Sequence, residues 1–448
     1  MKQPLNEHAH VTLTAPRPRD PPLDSRDKGI PGDIAGLAIE EVGTRGWNVL
    51  REDLPLPVAV LKQDALDHNR AWMREFVRRQ GVALAPHGKT SMSPGLFDLQ
   101  LADGAWALTL GTAHQLQVAR HFGYRRIFLA NQLIGRSAIE YVFREMSADP
   151  HFELYCLVDS IESVQQLVRV ADRVRPSRPI SVLVEMGYVG GRTGCRTIEA
   201  GLAVARTVGA HPHAVSLAGI EGFEGLLRGS SSEHTVELVR SFLESVIALA
   251  HACQAQGLFQ TRPGRGPILL SAGGSAYFDL VTQSFAGAGL TVPTLVLLRS
   301  GCYLTHDSLM YTVAFDRMKL RSADIAAMGE GLRPVIEVWG YVQSRPEAQL
   351  AIVGLGKRDV SHDELPVPLA WFRPGGAAQL PGPLEPGHGT TRLNDQHCYL
   401  TIPPSSPLAV GDMVGFGISH PCLTFDKWRV LHVVDPGYTV KTSVRTYF

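Results

Sequence analysis

Eight short apolar runs, nearly all followed by a longer amphipathic segment, occupy residues 82–300. None of them shows the polar alternation of a half-exposed strand, which is typical of parallel strands buried on both faces. Eight consecutive strand–helix units over about 220 residues predict a TIM-type (β/α)8 barrel in an α/β protein. An open doubly wound sheet is the alternative that this pattern leaves. The runs are 82–86, 105–110, 126–130, 153–158, 180–185, 214–220, 267–271 and 294–299.

The rest of the chain predicts an N-terminal arm and a second domain. Residues 1–55 should hold a loose Pro- and Arg-rich arm and a helix at 34–49, and 56–310 should form the barrel. Residues 311–448 should form a mostly antiparallel β domain, which the strand at 57–61 could join. The remaining predicted elements are a helix at 63–80, strands at 335–342, 349–354 and 427–434, and a long Gly/Pro loop at 373–394.

Composition narrows the class of protein. Lys and Arg number 43 and Asp and Glu also number 43, so no charge excess favours a nucleic-acid partner. The N-terminus has no apolar signal core, and no apolar run is long enough for a membrane span. We therefore expect a cytoplasmic protein that binds neither nucleic acid nor membrane. Scattered thiols in a long chain predict free cysteines, at Cys156, Cys195, Cys253, Cys302, Cys398 and Cys422.

A lysine follows the first predicted barrel strand, in the stretch Pro86-His87-Gly88-Lys89-Thr90. Apolar surroundings would disfavour the charged form of its amine and so make Lys89 nucleophilic. Lysines of this kind bind carbonyl compounds covalently, pyridoxal 5'-phosphate (PLP) among them. The alternative is a lysine that extends from the end of a core strand to solvent. His87, two residues earlier, is a second candidate for catalysis.

Glycine and polar residues follow the other strands, at the rim where barrel enzymes place their active sites. Gly273-Gly274-Ser275 follows the seventh strand, and Gly301 and Tyr303 follow the eighth. Two glycines allow an anion to approach the backbone, and barrels often bind phosphate with these two loops. A plain turn between strand and helix is the alternative. Asn131 and Arg192 follow earlier strands.

His420-Pro421-Cys422 is the second chemically suggestive motif. In an extended chain, residues two apart project to the same side, so His420 and Cys422 could share a zinc ion. Two protein ligands would leave positions open for a substrate, as a catalytic Lewis acid needs. The alternative is a buried histidine and a buried cysteine beside a turn. His397 is a possible further ligand. Asp307 and Tyr311 are residue types that more often face solvent or pack in a core, so we assign them no role in the site.

Together these motifs, in this order, resemble those of fold-type III PLP enzymes, and more narrowly the D-serine dehydratase / D-threonine aldolase group. The resemblance extends over residues 55–440. It implies an alanine racemase-like barrel with a β domain, and PLP bound to Lys89. It also implies phosphate binding near Gly273, Gly274, Ser275, Gly301 and Tyr303, Arg192 near the cofactor ring, Asn131 as a further cofactor contact, and Zn2+ or another divalent metal at His420 and Cys422.

The resemblance implies a homodimer whose substrate is a D-amino acid. Because dehydratases of the group use a His-x-Cys pair and aldolases more often a His-x-Asp pair, Cys422 favours dehydration. The expected reaction converts D-serine or a related β-hydroxy D-amino acid to a keto acid and ammonia. The alternatives are aldol cleavage to glycine and an aldehyde, and a PLP carrier without turnover.

The chain also departs from the group's pattern. Ser91-Met92 follows the lysine motif where relatives often have His-Lys, and Phe223 replaces an aromatic that is often Tyr. Gly354 stands where many relatives have an acidic residue. These departures concern the substrate more than the cofactor, and they suggest a branch resembling bacterial proteins described as amino-acid deaminases.

Overall fold

The computed structural model describes Pro18, residues 20–259 and residues 266–448. The predicted N-terminal arm therefore lies largely outside the described residues. The strands are β1 Leu23–Asp24, β2 Ala35–Leu37, β3 Val58–Lys62, β4 Ala83–Leu84, β5 Leu108–Leu110, β6 Arg126–Gln132, β7 Glu153–Val158, β8 Ile180–Met186, β9 Val215–Gly222, β10 Ile268–Ala272, β11 Thr294–Leu298, β12 Ile336–Glu347, β13 Leu350–Val353, β14 Val367–Phe372, β15 Gly382–Pro383, β16 Gly389–Leu393, β17 Cys398–Thr401, β18 Met413–Gly417, β19 Val430–Val434 and β20 Val440–Arg445.

The described helices are mostly those that separate the barrel strands. Five of them follow a Ser or Thr whose side chain accepts a hydrogen bond from the first turn, namely Thr112, Ser160, Thr197, Ser231 and Ser322. They are α1 Gln63–Gln80, α2 Pro94–Ala102, α3 Ala113–His121, α4 Arg136–Ala148, α5 Ile161–Val174, α6 Ile198–Ala210, α7 Ser232–Ala255, α8 Phe278–Ala286, α9 Met310–Arg321, α10 Ala323–Ala326 and α11 Cys422–Phe425. Among these helices, none combines the length and apolarity that a membrane crossing requires.

The chain forms two compact units. Of the described residues, one contains Pro18, 77–87, 100–259 and 266–300, and the other contains 20–76, 88–99 and 301–448. These boundaries differ from the sequence-based ones, because residues 56–76 and 88–99 belong to the second unit.

The first unit is the predicted barrel. Strands β4 to β11 form one parallel sheet in which, from β5 onward, each strand pairs with the next in sequence, and β11 pairs with β4. A parallel bridge between His87 and Thr109 links the first strand to the second and closes the ring. All eight strands predicted from apolar runs are confirmed. The strand interiors meet in a core of Ala85, Ala107, Phe128, Leu157, Leu183, Leu269, Leu295 and Leu297.

Close strand packing explains one glycine of the barrel. A Cβ built on Gly219 of β9 would lie 1.9 Å from the Leu269 carbonyl oxygen of the neighbouring strand. Any side chain there would force the two strands apart, so β9 needs glycine at this position.

The second unit is built around a sheet of ten strands, most of them antiparallel. Strands β14, β18 and β12 lie side by side, and β12 continues through β13 to β17 and β16. Strand β3 lies between β12, to which it is antiparallel, and β19, to which it is parallel. The strand that precedes the barrel in sequence thus pairs with strands that follow it.

Two sequence-based predictions are wrong in this unit. The helix expected at 34–49 is replaced by the short strand β2 and a 3-10 helix at Ile39–Arg45. The loop expected at 373–394 contains β15 and all of β16. Strand β2 pairs with β1, β15 with β14 and β16 with β17, and neither helical spacing nor Gly and Pro content reveals these partners. All six cysteines are free thiols, as predicted.

Candidate functional site

Lys89 lies in the second unit, on a 3-10 turn of Gly88–Thr90 that follows β4. The backbone N–H groups of Ser91 and Met92 donate to the Gly88 carbonyl oxygen at 3.2 and 2.9 Å and so close the turn. Gly88 and Thr90 are buried, but Lys89 itself is exposed. The apolar surroundings expected for this lysine are therefore absent. Its amine is instead accessible, which a reaction with an aldehyde also requires.

His420 and Cys422 lie in the same unit as Lys89. They do not form the extended segment that the motif suggested, because Pro421 has helical backbone angles and Cys422 begins the one-turn helix α11. Their side chains nevertheless meet in a hydrogen bond. The imidazole and the thiol thus approach each other as one metal ion would need, through a turn instead of a strand.

His420 is held by a loop that sequence reasoning did not single out. Its Nδ1 donates to Asp363 Oδ2 at 2.8 Å, and its backbone N–H donates to Ser361 Oγ at 3.1 Å. A histidine whose Nδ1–H is bound by a carboxylate presents Nε2 as the metal-binding nitrogen. Burial lowers the pKa of His420, but the hydrogen bonds to Cys422 and Asp363 outweigh it and raise that pKa to about 9.

Three side chains surround the Cys422 thiol. Cys422 Sγ lies 3.5 Å from Thr90 Oγ1 and 4.0 Å from Cys302 Sγ, and Thr90 Oγ1 lies 3.8 Å from Cys302 Sγ. The hydrogen bond with Cys302 holds the pKa of the Cys422 thiol well below its ordinary value, and His420 acts in the same direction. Thr90 belongs to the Lys89 turn, so the lysine turn and the His-x-Cys turn are in direct contact.

Two residues that were given no role from the sequence, Tyr311 and Asp307, lie beside this cluster. The Tyr311 ring stands edge-on to the His420 ring with centroids 6.3 Å apart, and its hydroxyl hydrogen-bonds with Cys302. Asp307 is buried, which raises its pKa to about 6. By contrast, His397, the suggested further ligand, lies in the exposed turn between β16 and β17.

The predicted residues of the barrel lie at the carboxyl ends of its strands. Asn131 Nδ2 donates to the Gly111 carbonyl oxygen at 2.5 Å, which ties two neighbouring strand ends together. The exposed Arg192 guanidinium lies over the Phe223 ring, 4.6 Å from its centroid. Phe223, noted as a departure from the group's pattern, therefore serves as an aromatic surface under this arginine.

Carboxylates that follow the barrel strands in sequence, and to which the sequence assigned no role, line the same end of the barrel. Glu185 accepts from Gln132 Nε2 at 2.5 Å and from Thr193 Oγ1 at 2.7 Å. Glu221 is fully buried and pairs with the Arg299 guanidinium. Such groups are hard to identify in a sequence, because their burial depends on strand order.

The Gly273-Gly274 turn already binds an anionic group. The Gly273 and Gly274 N–H groups donate to the two carboxylate oxygens of Glu224 at 3.2 and 2.7 Å. Burial raises the pKa of Glu224, while these two donors lower it. A Cβ on Gly273 would lie 2.8 Å from the Arg299 backbone nitrogen, so the turn needs glycine for close packing.

These observations test the implied cofactor and metal. The glycine turn fits an anion, since it holds a carboxylate, although a phosphate would have to replace Glu224 or use neighbouring N–H groups. An accessible Lys89 amine fits PLP. An oriented imidazole and a thiol of lowered pKa fit zinc. Among the described residues, no three or more His, Cys, Asp or Glu side chains are grouped as a metal site, so the pair His420 and Cys422 would leave positions open.

Comparison with known proteins gives a matching family model over part of the chain and two curated relatives. Residues 336–434 match the family described as "Putative serine dehydratase domain". The chain is 21% identical to the 3-hydroxy-D-aspartate aldolase of Paracoccus denitrificans over 52% of its length and 60% of that protein. It is 24% identical to the D-threo-3-hydroxyaspartate dehydratase of a Delftia species over 78% of its length and 83% of that protein.

Solved structures show the same fold. The D-threonine aldolase of Filomicrobium marinum has a TM-score of 0.72 at 20% identity, with 90% of this chain and 97% of that chain covered. A cysteine-to-alanine mutant of D-threo-3-hydroxyaspartate dehydratase in the metal-free form has a TM-score of 0.67 at 19% identity, with 90% of this chain and 99% of that chain covered. An alanine racemase-like protein of Idiomarina loihiensis has a TM-score of 0.65 at 16% identity, with 88% and 96% covered. These comparisons show that the chain has the alanine racemase-like fold.

Proposed function

We propose that this chain is a PLP- and divalent-metal-dependent lyase that dehydrates a β-hydroxy D-amino acid to a keto acid and ammonia. The observation that carries the proposal is the contact between two turns of the second unit. The Thr90 hydroxyl of the Lys89 turn lies 3.5 Å from the Cys422 thiol, which in turn hydrogen-bonds with His420. A covalent cofactor site and a metal site would then serve one substrate.

Lys89 would bind the aldehyde of PLP, which, when bound, withdraws electrons from the substrate's α-carbon. When it is not bound to the cofactor, Lys89 Nζ would be the base that accepts the substrate's α-proton. Arg192, Asn131, Gly273, Gly274, Ser275, Gly301 and Tyr303 keep the cofactor-binding roles that the sequence resemblance implies. His87 stays a predicted catalytic residue.

His420 and Cys422 would hold the metal, whose chemistry there is to polarise the β-hydroxyl and make it a better leaving group. Asp363 fixes the imidazole through Nδ1, and the Cys302 and Thr90 side chains favour the thiolate of Cys422. A thiolate and an imidazole are ligands that suit Zn2+, so zinc is the proposed metal. The metal-free form of the D-threo-3-hydroxyaspartate dehydratase mutant supports a metal in this class of protein.

The substrate class follows from the relatives. Both curated relatives are named for 3-hydroxyaspartate of D configuration, and this supports a β-hydroxy D-amino acid as substrate here. D-Serine is the smaller member of the same class. We propose that D-serine and D-threo-3-hydroxyaspartate are the first substrates to test, and that the active protein is a homodimer, which light scattering would check.

Aldol cleavage is the second candidate. One curated relative and one structural neighbour are aldolases, so this reaction is supported as directly as dehydration by the comparisons. The thiol at Cys422 favours dehydration, because the aldolases of this group more often have an aspartate at that position. The two reactions differ in the bond broken, and their products differ accordingly.

Product analysis separates the candidates. The purified protein, loaded with PLP and Zn2+, is incubated with D-serine, D-threonine and D-threo-3-hydroxyaspartate, and the products are read by NMR. Keto acid and ammonia are expected. Glycine with an aldehyde would mean that the chain is an aldolase. No product from any of the three would refute a lyase acting on these β-hydroxy D-amino acids and would favour a PLP carrier.

A further inference from the structure

Two free thiols of the second unit lie side by side. Cys302 Sγ and Cys422 Sγ are 4.0 Å apart, although 120 positions separate the residues in the chain. Cys302 is buried, with 5% of its surface exposed, while Cys422 is partly exposed. In the proposed dehydration Cys422 is the metal ligand and Cys302 only favours its thiolate, so that reaction does not itself require a second thiol at this position.

We propose that Cys302 and Cys422 are an oxidation site, at which a peroxide joins them in a reversible disulfide that disables the metal pair. The effect on activity rests on the proposed function, but formation of the disulfide does not. With the two sulfurs joined, Cys422 has no thiolate to offer a metal ion, so His420 alone would remain of the pair.

The geometry permits this bond. A disulfide has a sulfur–sulfur distance of about 2.0 Å, so the two sulfurs must approach by about 2 Å. Cys302 lies in an irregular turn before α9, and Cys422 is the first residue of the one-turn helix α11. Neither residue is held in a sheet ladder, so rotation about the Cα–Cβ bonds with a small shift of either turn brings the sulfurs together.

The surroundings of both thiols link the bond to the cofactor region. Cys302 stands between Gly301 and Tyr303, the two predicted cofactor residues, and its sulfur also lies 3.8 Å from the Thr90 hydroxyl of the Lys89 turn. A shift of Cys302 toward Cys422 would therefore move the backbone of the Gly301–Tyr303 segment as well.

The chemistry balances in two steps with hydrogen peroxide as the oxidant. The partly exposed Cys422 thiol attacks one peroxide oxygen, which gives a sulfenic acid and one water. The Cys302 thiol then displaces the hydroxyl group from the Cys422 sulfur, which forms the S–S bond and releases a second water. Two thiols lose two electrons and two protons in total, and a dithiol reductant reverses the reaction.

Peptide mapping tests the proposal without an activity assay. The protein is treated with hydrogen peroxide and unfolded in denaturant without reductant, its remaining thiols are then blocked with a maleimide, and a non-reduced digest is analysed by mass spectrometry. We expect a peptide pair that joins Cys302 to Cys422 and separates on reduction, with the number of blockable thiols falling from six to four.

Two variants make the test specific. Cys302→Ser should lose the linked peptide pair and leave Cys422 open to further oxidation, whereas Cys398→Ser, which changes a buried thiol of β17, should form the pair as the unmodified protein does. Maleimide on both Cys302 and Cys422 after peroxide treatment would overturn the proposal, as would sulfinic acid at Cys422 beside a blocked Cys302. If the pair forms in a protein without lyase activity, the proposed function fails and the oxidation site stands.

Discussion

Lys89 shows how far a single residue can be predicted from its neighbours in sequence. Its position after the first barrel strand is apparent from the apolar run before it, and the structure places it there, on a turn closed by Gly88. Its exposure is not apparent, because that depends on the direction in which the turn projects. Burial is therefore not what would make this amine reactive here, and its accessibility to an aldehyde becomes the relevant property.

Asp363 is the residue whose role could not have been inferred from the sequence. It lies in an irregular loop 57 positions before His420, and neither periodicity nor a motif connects the two. Only the folded loop brings its carboxylate to His420 Nδ1. Cys302 is similar, since it was visible inside a glycine motif but its distance to Cys422 was not.

Replacing Asp363 should weaken metal binding while leaving both metal ligands in place. Asp363→Asn removes the charge that orients and polarises His420, and such changes lower metal affinity about 10- to 100-fold. Zinc affinity is measured by competition with a chromogenic chelator. Asp395→Asn, which changes an exposed carboxylate beside Arg358, is the control and should bind zinc as the parent protein does. Equal affinity in all three proteins would remove Asp363 from the site.

At the scale of elements, the barrel was predictable and the second unit was only partly so. Each barrel strand is a continuous apolar run that pairs with its neighbour in sequence, so local pattern and global fold agree. Strand β3 pairs instead with β12 and β19, far along the chain. Strands β14 to β18 combine polar and glycine-rich segments whose pairing partners decide their structure, and no local spacing reveals those partners.

Strand β19 carries a buried histidine that should make stability depend on pH. His432 Nε2–H donates to the Gly29 carbonyl oxygen at 3.1 Å, and Nδ1 accepts from Ser443 Oγ at 2.8 Å. Burial lowers the pKa of His432 to about 4. The unfolded chain therefore binds a proton more readily than the folded one. The contribution of neutral His432 to stability is fully present above pH 6.5 and is lost as the pH falls from 6.5 toward 4.

The protonation of His432 should lower the free energy of unfolding by about 2 kcal/mol between pH 7 and pH 5. It is measured as the shift in urea midpoint between the two pH values. His432→Gln, whose amide can still donate to Gly29, should show a smaller shift, whereas His397→Gln in an exposed turn should keep the parent shift. An unchanged shift in His432→Gln would show that other groups cause the pH dependence.

At the scale of the whole molecule, the two compact units are interleaved along the chain. From residue 20 onward the chain passes through the second unit, supplies β4 to the barrel, returns to the second unit for the Lys89 turn, completes the barrel, and is again in the second unit from residue 301. The Lys89 turn therefore belongs with His420 and Cys422 and not with the strand that precedes it. The sequence-based boundaries assumed that each domain is one continuous segment, whereas each unit of the structure contains several segments that are separated in sequence.

The proposed reaction requires that a lysine and a metal pair act on one substrate. Because the segments are interleaved, Lys89 lies in the same unit as His420 and Cys422. The direct test is the rate of keto-acid formation by the PLP-loaded protein before chelation, after chelation, and after Zn2+ is restored, with the visible absorbance of the lysine-bound cofactor followed throughout. We expect chelation to abolish turnover while the cofactor stays bound, and Zn2+ to restore it. Full turnover after complete removal of the metal would contradict the account.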